Sequence, residues 1–119
     1  MADKGWKGAT MTVKHFACNA GLDIITLPDP EKEINGVYSG DLLSWVMGNA
    51  NPGNLWITIM SNINIVAVAT LVDVSAIILC EGVKLDDSII KTAENKGVNI
   101  LSTKLAAYES ALKIAETLN

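Results

Sequence analysis

At 119 residues, half of them apolar and 18% charged, the chain is long enough for one compact domain with its own core and too apolar for disorder. Its net charge of −4 comes from nine basic residues, all lysine, against thirteen acidic ones. With no arginine and no basic cluster, a nucleic-acid partner is excluded, and any bound anion would have to rely on lysine, hydroxyls and backbone N–H groups.

Residues 1–10 (MADKGWKGAT) contain no apolar run that could serve as a signal peptide. They read as an unstructured lead-in or expression remnant, with Met11 as a candidate original start. Thr12 is placed to cap a short helix through Ala20, which Gly21 terminates. Residues 22–27 (LDIITL) predict a strand closed by Pro28-Asp29-Pro30. Residues 33–38 (EINGVY) predict another, with Asn35-Gly36 marking a bulge or turn.

Asp41 is positioned as the N-cap of a helix over residues 42–47 that Gly48 would stop. Asn51-Pro52-Gly53-Asn54 is a turn, and residues 55–59 (LWITI) are β-branched and aromatic enough for a buried strand. Residues 61–64 then cap an apolar helix to Val72. Residues 75–80 (SAIILC) form a continuous apolar run, the pattern of a parallel strand covered on both faces.

Glu81-Gly82 turns the chain, and Asp86-Asp87-Ser88 begins a helix to Lys96 that Gly97 ends. Residues 98–101 (VNIL) predict the last strand. Ser102 or Thr103 is expected to cap a final helix that turns Leu105, Tyr108, Ala111, Leu112, Ala115 and Leu118 to one face. Short apolar strands alternating with helices predict an α/β fold: a three-layer α/β/α sandwich around a largely parallel sheet of about five strands. Residues 11–119 are expected to form that single domain.

The window over residues 63–80 is apolar enough to raise a membrane span, but Asp73 near its middle would cost about 3 kcal/mol in a bilayer. It reads instead as a helix followed by a buried strand, so no membrane is expected. The helix has almost no polar side, so it is either enclosed or packed on a second subunit. Trp45 and Trp56, flanked by Leu42, Leu43, Val46 and Leu55, read as core residues. Both Cys18 and Cys80 stand in apolar surroundings and are expected as buried free thiols of a reducing, cytoplasmic setting.

In an open parallel sheet, ligands bind beyond the carboxyl ends of the strands, where helix N-termini present free N–H groups. Four polar turns fall at that edge: Ser39-Gly40-Asp41, the stretch from Thr58 through Ser61, Asn62 and Asn64, the turn at Cys80-Glu81-Gly82, and Ser102-Thr103-Lys104. Capping accounts for these residue types, and so does a ligand edge; both readings stand at this point. No phosphate loop (GxxxxGK[ST]) or GxGxxG turn is present, and with His15 the only histidine no two-histidine metal site can form. No metal, cofactor or catalytic residue is therefore expected. The remaining enzymatic option is acid–base work by Asp41 and Glu81 on neighbouring strand ends.

The blocks VYSGDLLSWVMGNA, WITIMSNINIVAVATL, SAIILCEG and ILSTKLAAYESA, in this order over residues 11–117, resemble the DRTGG domain. Where that family has Asp-Arg, Ser61 and Asn62 stand here; where it has Thr-Gly-Gly, Cys80, Glu81 and Gly82 stand. Ser39, Gly40, Asp41, Asn64, Gly82, Ser102, Thr103 and Lys104 carry over. The resemblance implies an α/β/α module similar to the N-terminal domain of HPr kinase/phosphorylase. It also implies a non-catalytic regulatory role at a homodimer contact, to which the polar strand-end turns add the expectation of a small-molecule effector sensed there. The alternatives are an adaptor subunit for a kinase or redox complex, bound to an operon partner, and a small enzyme using Asp41 and Glu81.

Overall fold

The computed structural model describes residues 11–118; the expectation for residues 1–10 lies outside them. Elements follow in the order β1 (Met11–Thr12), α1 (Val13–Ala20), β2 (Asp23–Thr26), β3 (Glu33–Ile34), β4 (Gly36–Ser39), α2 (Leu43–Asn49) and β5 (Asn54–Thr58). Then come α3 (Asn64–Val72), β6 (Ala76–Leu79), α4 (Asp87–Lys96), β7 (Ile100–Ser102) and α5 (Ala107–Leu118). The main sheet has the order β2-β7-β6-β5-β4, and β1 and β3 form a separate antiparallel pair. The five-stranded α/β sandwich expected from the sequence is the fold observed.

Strands β4 to β7 run parallel and neighbour one another in chain order. Right-handed crossovers that step always in one direction put every connecting helix on the same side of the sheet. Accordingly α2, α3 and α4 cover one face, packing Val46, Ile65, Val66, Ala69, Ile89 and Ala93 around Trp56, Ile77, Leu79 and Ile100. The other face is left to α1 and α5, whose Val13, Phe16, Ala17, Ile114 and Leu118 meet Leu55, Ile57, Ile78 and Leu101. Alternate residues of each strand thus feed opposite cores, which is why residues 55–57 and 76–79 are apolar without interruption.

Local signals account for several element ends. The Thr12 hydroxyl accepts from His15 N at 3.2 Å and Gly21 closes α1 in the left-handed conformation, as expected. The break between β3 and β4 falls at Asn35, within the Asn35-Gly36 signal. Asn35 N donates to Gly53 O, and its side-chain amide donates to Pro52 O at 2.8 Å. At the same end of the sheet, Lys32 pairs with Asp73, the left-handed residue that closes α3.

Strand β2 is antiparallel to β7, so it enters the sheet from the rim where the other strands leave it, and the sheet is largely parallel as expected. Other expectations are corrected. Trp45 is 63% exposed, whereas Trp56 is fully buried, because the side of α2 that meets the core is the one bearing Val46. Cys18 is exposed on α1 and Cys80 is buried. Helix α5 buries Ser110, Ile114 and Leu118, leaving Tyr108 71% and Leu112 49% exposed, so its inner face is turned from the one expected. No helix among the described residues is long and apolar enough to cross a membrane.

Candidate functional site

The loops that leave β4, β5, β6 and β7 meet at one end of the sheet, and the first residues of three of them bond back onto the neighbouring strand. Gly40 N donates to Ile57 O, Cys80 N to Thr58 O, and Thr103 N to Leu79 O. A second tier joins the last two loops: Glu81 N donates to Leu105 O at 2.9 Å and Gly82 N to Thr103 O at 3.0 Å. Glu81 and Gly82 both hold positive φ, 63° and 68°, and Val83 N closes the turn onto Cys80 O. A turn with two left-handed residues costs a non-glycine side chain about 1 kcal/mol, and the cross-ties to Thr103 and Leu105 hold it in place.

Asp41 is not the N-cap of α2. That position is Leu42, which makes no side-chain cap, and the helix runs through Gly48 to end at Ala50. The Asp41 carboxylate instead reaches the next strand, accepting from the Thr58 hydroxyl at 2.8 Å and from Ile59 N at 3.0 Å. Gly40 is tied in beside it, its carbonyl accepting from the buried Trp56 indole N–H at 2.9 Å. Helix α3 likewise has no side-chain cap hydrogen bond at Ile63. Asn62 Oδ1 accepts from Asn64 N at 2.9 Å. Thr103 does not cap α5, which starts only at Ala107; its hydroxyl accepts from Leu105 N.

Among the described residues the rim carries separate depressions rather than one site. Between the ends of β4, β5 and β6 lies a small one of about 120 Å3, where Ser39, Asp41, Thr58, Cys80 and Glu81 come together. Between the starts of α3 and α4 lies one of about 680 Å3, lined by Ser61 and Asn62 together with Asp86, Ser88 and Thr92. The third, about 500 Å3, gathers Glu81, Gly82, Ser102, Thr103 and Lys104 with Asp23 and Lys84. Of the twelve residues expected at the edge, Gly40 and Asn64 line none of these three.

Asp23, Lys84, Asp86, Ser88 and Thr92 escaped the sequence reading. Asp23 is at the rim because β2 runs against the other strands, and Ser102 is its partner in the ladder. Nothing in residues 22–27 encodes that direction. Lys84 and Asp86 could have been found from their place in the loop that follows β6, and Ser88 from the first turn of α4.

In the smallest depression the carboxylates of Asp41 and Glu81 share a wall with Cys80. Burial pushes the Cys80 thiol above its ordinary value of 9.0; the contact to Ser110 pulls the other way, and the charges of Glu81 and Asp41 add to the rise. The Cys80 sulfur lies 3.4 Å from the Ser110 hydroxyl. A neutral, desolvated thiol is a weak nucleophile. Among the described residues, no group of three or more His, Cys, Asp or Glu is placed to hold a metal ion.

In open α/β sheets the carboxyl edge, flanked by helix starts, is where ligands commonly bind. The chain belongs to the DRTGG domain family, whose model matches residues 42–117. Its fold is similar to that of the CBS and DRTGG domains of the regulatory region of Clostridium perfringens pyrophosphatase, solved in complex with its activator, diadenosine tetraphosphate. The TM-score is 0.72 at 16% identity, covering 87% of this chain and 45% of that one, so this chain spans less than half of that region. No curated protein matches the chain.

Proposed function

We propose that this domain is a non-catalytic regulatory module that pairs with a second copy and senses a small ligand at the carboxyl edge of its sheet. The observation that carries this reading is the laced rim. The loop after β4 is tied to the loop after β5 through Asp41 and Ile59 N, and the turn at residues 81–82 to Thr103 and Leu105, around open depressions, so a ligand touching one of these loops is felt by its neighbour. The regulatory region of the pyrophosphatase, complexed with a nucleotide activator, supports a regulatory role by its similar fold.

Pairing is supported by α3. The helix carries no charged residue, and its outer side leaves Ile63 47% and Leu71 71% exposed, with Ala67 exposed between them. Residues spaced by four make one apolar stripe, which a C2 partner would cover with its own copy. Ile63 lines the rim depression between α3 and α4 as well. A ligand there would therefore touch the pairing stripe, and by linkage pairing would change ligand affinity by the same factor.

A non-catalytic rim is supported by the engagement of Asp41 with Thr58 and Ile59 and by the protonated state that burial favours for Cys80. Two free thiols fit a reducing compartment such as the cytoplasm.

Sedimentation of the wild type and Leu71→Lys at micromolar concentration tests the pairing. The expected result is a dimer that the substitution converts to monomer. A monomeric wild type overturns it. A second reading, an adaptor for another protein, draws on Val37, Tyr108 and Leu112, exposed at 40, 71 and 49% on elements remote from α3. It requires Leu112→Lys to leave self-pairing intact while abolishing retention of the partner.

A further inference from the structure

We infer that the depression between the start of β2, the end of β7, the loop over residues 81–85 and α4 is a site for a zwitterionic ligand with an aliphatic body, the chemistry of a free neutral aliphatic L-amino acid. The inference rests on the reading of the rim as a ligand edge and names the ligand class for one part of it. Four charged side chains surround this cavity, Asp23 and Glu81 against Lys84 and Lys104. The ion pair found among the described residues is Lys32–Asp73, at the other end of the sheet, so these four charges stand unpaired around a common space.

The alternation of β2 and β7 builds the floor. Ile100 packs in the core on the α2–α4 side, so Ser102, two residues on in β7, shares that side, and Asp23, its partner in the ladder, lies beside it, ahead of the irregularity in β2 between Ile24 and Thr26. Val83, Leu85 and Ile90 close the apolar part. At about 500 Å3 the cavity is of the size that holds small metabolites.

Charge decides among ligand classes. A polyphosphate would bring its negative charges against the Asp23 and Glu81 carboxylates, with no arginine to offset them. The amides of Glu81 and Gly82 cannot cradle it either, because they are spent on Leu105 O and Thr103 O. A simple amine would leave both lysines unused, and a fatty acid both carboxylates. A zwitterion gives its carboxylate to the lysines, its ammonium to the carboxylates, and its side chain to Ile25, Val83, Leu85 and Ile90. The fixed left-handed turn at residues 81 and 82 holds Glu81 and Lys84 around the opening before the ligand arrives.

The test is calorimetric titration of the full chain with L-leucine, L-valine and L-isoleucine, with N-acetyl-L-leucine and L-leucinamide as charge-capped probes, and with ATP. At least one amino acid is expected to bind, and each capped probe to bind about tenfold to hundredfold more weakly, the loss of one charge-assisted contact. Asp23→Asn and Lys104→Gln, at exposed positions, are expected to weaken binding by at least about tenfold while leaving the melting temperature of the free protein unchanged. Capped probes that bind as well as the amino acid overturn the inference. ATP binding that Lys104→Gln abolishes, without amino-acid binding, overturns it while leaving the ligand edge standing. Silence of every probe counts against both.

Discussion

Replacing Asp41 by alanine separates a structural clasp from a catalytic group. One carboxylate oxygen accepts two hydrogen bonds from the next strand, from the Thr58 hydroxyl and from Ile59 N. Hydrogen bonds to a charged acceptor are worth about 1.5–3 kcal/mol each when shielded, and an orphaned buried donor costs about 1–3 kcal/mol. Thr58 is 2% exposed, which argues for the upper range; Asp41 is exposed, and the 120 Å3 depression beside it admits water, which argues for the lower. Together these place the loss at about 1–2 kcal/mol. At about 4 °C per kcal/mol for a domain of this size, thermal unfolding followed by circular dichroism should show a fall of about 4–8 °C. Asp41→Asn keeps an oxygen able to accept both bonds and should recover most of the loss. An alanine variant as stable as the wild type, or more stable, would refute the clasp, since a carboxylate kept for chemistry tends to be held at the expense of stability.

Gly53→Ala is expected to destabilise by at least about 2 kcal/mol in chemical denaturation. The position holds φ +85°, and an added Cβ would lie 2.5 Å from the side chain of Asn35. Thiol labelling at pH 7 should modify Cys18 rapidly and Cys80 only on unfolding; equal rates would contradict the burial of Cys80. Because the folded state holds the Cys80 proton to higher pH than the unfolded chain, its contribution to stability is complete below about pH 9 and declines as pH rises beyond it. Urea unfolding at pH 8 and 10 should show that decline in the wild type and a smaller one in Cys80→Ala; identical declines would contradict it.

The elements were legible where their signals are local. Thr12 and Gly21 bracket α1 within nine residues, and the apolar runs around Trp56 and Ile77 are strands buried on both sides, as their composition predicts. What sequence left out is relational. Asp41 has the residue type and the place of an N-cap, and only the proximity of Thr58 shows that it serves another strand. The same holds for Thr103, which lies four residues ahead of α5 and serves the loop between. Strand direction is not written in six residues, so β2 was read without its reversal, and Asp23 was lost from the rim with it. Trp45, Tyr108 and Leu112 followed apolar patterns that their helices turn outward, because surfaces and cores draw on the same residue types.

A 15N–1H correlation spectrum recorded while the domain is titrated with a panel of nucleotides, amino acids and central metabolites bears most directly on a regulatory module that binds without transforming. The rim should answer: amides at residues 81–85 and 102–104 shift with at least one compound, and that compound is recovered chemically intact. Conversion of a bound compound into a product, or shifts confined to the opposite end of the sheet around Asn35 and Gly53, would contradict this account.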